Sequence, residues 1–238
     1  PDGRPVAVTG SDDDTVRVWD LTTGTQIGDP LTGHTSRVIA VATGVLPDGR
    51  PVAVTSSTDD TVRVWDLTTG TQIGDPLTGH TSRVIAVATG VLPDGRPVAV
   101  TSSTDDTVRV WDLTTGTQIG DPLTGHTSRV IAVATGVLPD GRPVAVTSST
   151  DDTVRVWDLT TGTQIGDPLT GHTRRVQAVA TLVLPDGRLV AVTGSADGTV
   201  RVWDLTTGTQ IGNPLTGHTH RVQAVATGVL PDGRLVAV

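Results

Sequence analysis

Residues 47–92 read PDGRPVAVTSSTDDTVRVWDLTTGTQIGDPLTGHTSRVIAVATGVL, and residues 93–138 repeat them letter for letter. PDGR recurs at Pro1, Pro47, Pro93, Pro139, Pro185 and Pro231, a constant step of 46 residues. Five units therefore fill 230 of the 238 residues, and PDGRLVAV restarts the unit at 231–238. A period of this length marks an array in which each unit is one supersecondary element that buries its apolar faces only against its neighbours. The unit at Pro1 departs from residues 47–92 at Gly10 and Asp12, and the unit at Pro139 departs at Arg174, Gln177 and Leu182. The unit at Pro185 has drifted most, at Leu189, Gly194, Ala196, Gly198, Asn213, His220 and Gln223.

Turn signals cut each unit into four short segments rich in Val, Ile and Thr, each too short for a stable helix, which predicts a four-stranded antiparallel meander. In the second unit and its lead-in, Arg37 to Val45 reads as a first strand ended by Pro47-Asp48-Gly49, and Pro51 to Thr55 as a second. Ser57-Thr58-Asp59-Asp60 turns the chain into a third, Thr61 to Asp66, where Val62 and Val64 alternate with Arg63 and Trp65. Thr69-Gly70 supplies a tight turn into a fourth strand, Thr71 to Ile73, ending near Asp75-Pro76. Pro51 and Pro76 donate no ladder hydrogen bond and are expected at strand starts or ends. Apolar residues on both faces of the third strand require each sheet to be sandwiched between neighbours, and four strands per unit point to radial blades rather than a β-helix.

Composition excludes several classes of chemistry. All 17 basic residues are Arg and all 25 acidic ones Asp, giving a net charge of −8, and Cys, Lys, Glu, Tyr, Phe and Met are absent. Without thiols there is no disulfide, thiolate zinc cluster or thiol redox chemistry. The apolar runs, such as ATGVLP, fall far short of the ~20 residues that span a bilayer, so no membrane partner is expected. No basic start precedes an apolar stretch, and a cytoplasmic location is expected. The acidic balance argues against nucleic acid, whose affinity rests on many phosphate contacts, and scarce aromatics argue against single-strand stacking. Phosphate-loop signals are missing, and the Asp-rich turns resemble calcium loops only in composition. Each unit offers one His, with His220 an extra two residues after His218, so no metal site and no cofactor are expected.

Gly-His at Gly33-His34, Gly79-His80, Gly125-His126, Gly171-His172 and Gly217-His218 alternates with Trp-Asp at Trp19-Asp20, Trp65-Asp66, Trp111-Asp112, Trp157-Asp158 and Trp203-Asp204. This pattern resembles the WD-repeat family of β-propellers over the whole chain. The resemblance implies an all-β fold of four-stranded antiparallel blades, five 46-residue repeats starting at 1, 47, 93, 139 and 185, with a partial repeat at 231–238. Because the family most often closes with seven blades, residues 1–238 are expected to be a fragment of a longer array or part of a ring completed by a second copy. The resemblance also implies buried structural tetrads: His34, Thr55, Asp59 and Trp65; His80, Thr101, Asp105 and Trp111; His126, Thr147, Asp151 and Trp157; His172, Thr193, Asp197 and Trp203. A hydroxyl, an imidazole and a carboxylate are also the parts of a hydrolase triad, but an enzyme has no use for four copies, so no catalytic residue is expected. In the resembled family the loop after Gly-His lies on the rim where partners usually bind. That places Arg37, Arg83, Arg129, Arg175 and Arg221 on one rim, with the departures Arg174, Gln177, His220 and Gln223 beside them. The expected function is a non-catalytic platform for a protein or acidic peptide, and the alternative is a purely structural or engineered array without a ligand.

Overall fold

The structure, a computed structural model, describes residues 3–230 and 234–237. The PDGR starts at Pro1 and Pro231 fall largely outside them. The first sheet joins β1 (Val6–Gly10), β2 (Val16–Asp20) and β3 (Thr25–Leu31). The second joins β4 (Val38–Val45), β5 (Pro51–Ser57), β6 (Val62–Asp66) and β7 (Thr71–Leu77). The third holds β8 (Val84–Val91), β9 (Pro97–Ser103), β10 (Val108–Asp112) and β11 (Thr117–Gln118). The fourth holds β12 (Val130–Val137), β13 (Pro143–Ser149), β14 (Val154–Asp158) and β15 (Thr163–Gln164). The fifth holds β16 (Val176–Val183), β17 (Leu189–Ser195), β18 (Val200–Asp204) and β19 (Thr209–Gln210). A pair, β20 (Thr227–Val229) and β21 (Leu235–Ala237), completes the list. Strand order within every sheet follows the chain and neighbours are antiparallel, so the sheets are the meanders that the turn signals predict. No helix occurs among the described residues.

The first and third strands begin one residue later than the sequence reading, at Val38 and Val62, and two other limits differ by more. The second strand of the unit runs on to Ser57, because Ser56 and Ser57 continue the ladder opposite Val62, Ala40 and Val38. The fourth strand passes through Pro76 to Leu77 rather than stopping before it. The chain tolerates this because the register shifts between Val62 and Val64, whose partners are Leu77 and Ile73, so Pro76 sits in a bulge on an edge strand where no N–H is needed. A second bulge falls in every complete first strand, at Ile39 between Val38 and Ala40 and at Gln177 between Val176 and Ala178.

The chain divides into two compact units, Pro1–Asp105 with Arg109–Asp121, and Asp106–Val108 with Pro122–Val238. In the first, Val52, Val54, Val62, Val64 and Leu77 of the second sheet pack against Val84, Val87, Ala99 and Trp111 of the third. Trp65 turns the other way, onto Val16, Val18 and Leu31 of the first sheet. The second unit repeats the arrangement, with Val144, Val146, Val154 and Val156 against Val176, Val179 and Trp203. Each valine so buried contributes on the order of 1.5 to 3 kcal/mol, which no isolated sheet could gain on both faces. First strands of consecutive sheets are also tied together. Thr89 Oγ1 donates to the Thr43 carbonyl at 2.8 Å in the first unit, and Thr181 Oγ1 donates to the Thr135 carbonyl at 2.7 Å in the second.

Candidate functional site

Four times along the chain, the imidazole of a Gly-His loop meets the Thr, Asp and Trp of the repeat that follows. His34 Nδ1 lies 2.8 Å from Asp59 Oδ2 and its Nε2 2.8 Å from Thr55 Oγ1, while Trp65 Nε1 donates to that hydroxyl at 2.8 Å. In the same unit, His80 lies 2.9 Å from both Asp105 and Thr101, and Trp111 donates to Thr101 at 2.8 Å. In the second unit the distances are 2.8, 2.9 and 2.8 Å for His126 with Asp151, His126 with Thr147, and Trp157 with Thr147. For His172 with Asp197, His172 with Thr193, and Trp203 with Thr193 each is 2.9 Å.

Hydrogen-bond logic assigns every proton in such a chain. An ionised carboxylate only accepts, so Nδ1 carries the imidazole proton; an indole only donates, so the threonine oxygen accepts from it and gives its own proton to Nε2. A second proton on the imidazole would leave the threonine oxygen facing two donors. Electrostatics agrees with the neutral ring. Burial holds the His34 and His172 imidazoles below their ordinary value, and their aspartates offset this only in part. Burial pushes the Asp59 carboxyl up, but hydrogen bonds from the Thr61 hydroxyl, the Thr35 N–H and His34 outweigh it and hold the group at about 2. Asp151 and Asp197 are likewise held low, against burial, by His126 and Thr153 and by Thr199 and His172. The four threonines are fully buried, so their hydroxyls are not presented to solvent as a nucleophile must be. Among the described residues no group of three or more metal-ligating side chains stands where it could hold an ion.

The network fixes a loop. Thr35 N donates to Asp59 Oδ2 at 3.0 Å, Ser57 Oγ to the Ser36 carbonyl at 2.8 Å, and Thr58 N to the Arg37 carbonyl at 3.0 Å. The Arg37 backbone is thereby held from both sides while its side chain stays exposed. Arg83, Arg129 and Arg175 accept the same backbone bond and are exposed too, as are Arg221, Arg174, His220 and Gln223. Gln177 is half-buried at its bulge. None of these arginines forms an ion pair among the described residues.

Three contacts were not anticipated from sequence. The arginine of PDGR clamps two aspartates: Arg50 reaches Asp48 at 2.6 Å and Asp66 at 3.3 Å, and Arg188 reaches Asp186 at 2.8 Å and Asp204 at 2.9 Å. The aspartate of Trp-Asp thus anchors a turn, Asp66 Oδ1 also accepting from the N–H groups of Thr68 and Thr69. Arg63 Nη1 donates to Gln72 Oε1 at 2.5 Å, and the two positions could have been matched by counting across the Trp65 to Gln72 register. The glycine of Gly-His has a steric cause: a Cβ on Gly33 would lie 2.9 Å from Arg63 Nη1 and 3.2 Å from Trp65 Cη2.

Tandem meanders joined by these networks define a repeat protein of the blade type. The sequence profile of the family described as WD domain, G-beta repeat matches residues 1–20, 24–66, 70–112, 116–158 and 162–204. The chain belongs to this WD-repeat family. No curated protein sequence matches it. Members of the family are generally non-catalytic scaffolds that mediate protein–protein interactions. No helix of the described residues is long and apolar enough to cross a membrane.

Proposed function

We propose that this chain is a non-catalytic platform for a protein partner bearing an acidic segment, read by Arg37, Arg83, Arg129, Arg175 and Arg221 with Arg174, Gln177, His220 and Gln223 beside them. One observation carries the reading. In a chain with 25 Asp, the PDGR arginines Arg50, Arg96, Arg142 and Arg188 are all ion-paired, whereas the loop arginines are exposed and form no ion pair among the described residues. Because the backbone is clamped, closing bidentately on carboxylates costs these guanidinium groups side-chain freedom but requires no ordering of the loop.

Titration of the full chain with an aspartate-rich peptide and with a lysine-rich peptide of equal length tests this. The acidic peptide should bind and the basic one should not, and binding should weaken as the Debye length falls from about 10 Å at 0.1 M salt to about 3 Å at 1 M. No binding would favour the structural-array alternative, which the identity of residues 47–92 and 93–138 supports, and binding insensitive to salt would remove the loop arginines as its cause.

A further inference from the structure

The departures from the repeat are scattered along the chain but gathered in space. The units at Pro139 and Pro185 differ from residues 47–92 at ten positions. Five of these, Arg174, Ala196, Gly198, His220 and Gln223, line a single cleft of about 710 Å³ that lies wholly within the second compact unit. The changes are coupled. A Cβ on Gly198 would lie 3.2 Å from the His218 carbonyl oxygen and 3.3 Å from that of His220, so glycine there lets the segment bearing His220 settle onto the turn.

They also move charge in one direction. Arg174 stands where the second unit has Ser82, and Gly198 where the preceding units have Asp14, Asp60, Asp106 and Asp152. Arg175 and Arg221 line the same cleft, and none of the three arginines is ion-paired among the described residues. The one carboxylate in the lining among the described residues, Asp197, has both oxygens committed. Oδ1 accepts from the Thr199 N–H and hydroxyl at 2.8 and 2.7 Å, and Oδ2 from His172 and the Thr173 N–H at 2.9 and 3.0 Å. It cannot turn to neutralise the guanidinium groups. The cleft is larger than a single oxyanion needs and within the range of small-ligand sites. Among the described residues its one ring is the small His220 imidazole, and no indole lines it as a platform for a nucleobase.

We infer that this cleft is the anchoring site of the array, that it takes the clustered carboxylates of an acidic peptide, and that it contributes more to recognition than the equivalent loop of any other repeat. The inference rests on the acidic-partner reading above and adds its location. The test is fluorescence anisotropy of a dye-labelled hexaglutamate peptide titrated with the full chain. The parent is compared with Arg174→Ser/His220→Ser, which restores the repeat residue at two exposed positions, and with Arg83→Ser in the second unit of the sequence. The double variant should bind about 10-fold more weakly or worse and Arg83→Ser only about 3-fold more weakly, since charge-assisted contacts act over short range and Arg83 lies outside the cleft. Parent-like affinity in the double variant overturns the inference. So does an equal loss in Arg83→Ser, although that outcome leaves the acidic-partner reading standing. Failure of the parent to bind overturns both. Unchanged circular dichroism and melting of each variant exclude misfolding as the cause.

Discussion

Residues 16–20 and 62–66 are the same pentapeptide, VRVWD, in β2 and β6, yet they end in different surroundings. Trp65 is 2 % exposed, and its bond to Thr55 continues through His34 to Asp59, whose side chain is 6 % exposed. Trp19 is half-buried; its bond to Thr9 is just as short, 2.8 Å, but stands in the open, and the Asp13 side chain is 52 % exposed. Some features are nevertheless shared. Asp13 accepts from the Thr15 N–H and hydroxyl at 3.0 and 2.6 Å, as Asp59 does from Thr61 at 2.9 and 2.7 Å. Asp14 and Asp60 both turn left-handed, with φ of 66° and 67°. The hairpin and its turn are local properties of the pentapeptide and its flanks. Burial and the imidazole arrive from residues far along the chain.

The comparison breaks most easily at the indoles. Trp65→Ala should cost about 3 to 5 kcal/mol, the range for emptying a large aromatic site, and Trp19→Ala well under half of that, both read from urea denaturation. Equal losses would mean that burial between sheets is not what separates the two regions. Next in size is the network. His34→Ala strands the Thr55 hydroxyl and the Asp59 carboxylate and should cost about 1 to 3 kcal/mol.

The same network carries a pH signature. The His34 and His172 imidazoles have folded values below the ordinary 6.5, so as pH falls through that value the unfolded chain takes up protons the folded chain does not, and stability declines. A second decline follows below pH 3.8, as the unfolded carboxyl protonates while folded Asp59 stays ionised until about 2. Melting temperatures across this range should show both declines. In His34→Asn/His172→Asn the first should shrink, and a decline of parental size would remove the histidines as its source.

The smallest effect sharpens the local half of the comparison. Asp14→Gly and Asp60→Gly place at a left-handed backbone the residue that adopts it without steric cost, and each should stabilise by up to about 1 kcal/mol. The two shifts should match, since the turns match. A gain at one position only would show that the turn also answers to its surroundings.

The fold was legible because it is written in short range. Val62, Arg63, Val64 and Trp65 alternate with the period of a strand, Pro47-Asp48-Gly49 and Thr69-Gly70 mark the reversals, and the 46-residue step states how often the unit recurs. Strand ends were less legible. Pro76 reads as a terminus, but whether proline ends a strand depends on which side of it needs a donor, and that follows from the edge position and bulge of β7. At the candidate site, the sequence puts Arg37 and its equivalents at one phase of the repeat, and the resemblance groups His, Thr, Asp and Trp. Neither says that Arg50 is held by Asp48 and Asp66 while Arg37 has no carboxylate partner among the described residues. Both are arginines beside a turn, and only the distance to a carboxylate distinguishes them.

By itself, then, the sequence determined the period, the meander, the turns and their left-handed residues, because each depends on dihedral preferences and contacts within a few positions of the chain. Tertiary structure decided which of two identical tryptophans is buried and which arginines keep their charge exposed. It also gathered Arg174, Gly198 and His220, which lie in separate segments of the chain, into one cleft. These outcomes depend on what packs against a sheet from outside it, and the energy of that packing and the desolvation of charge are set by neighbours a strand's own residues do not specify.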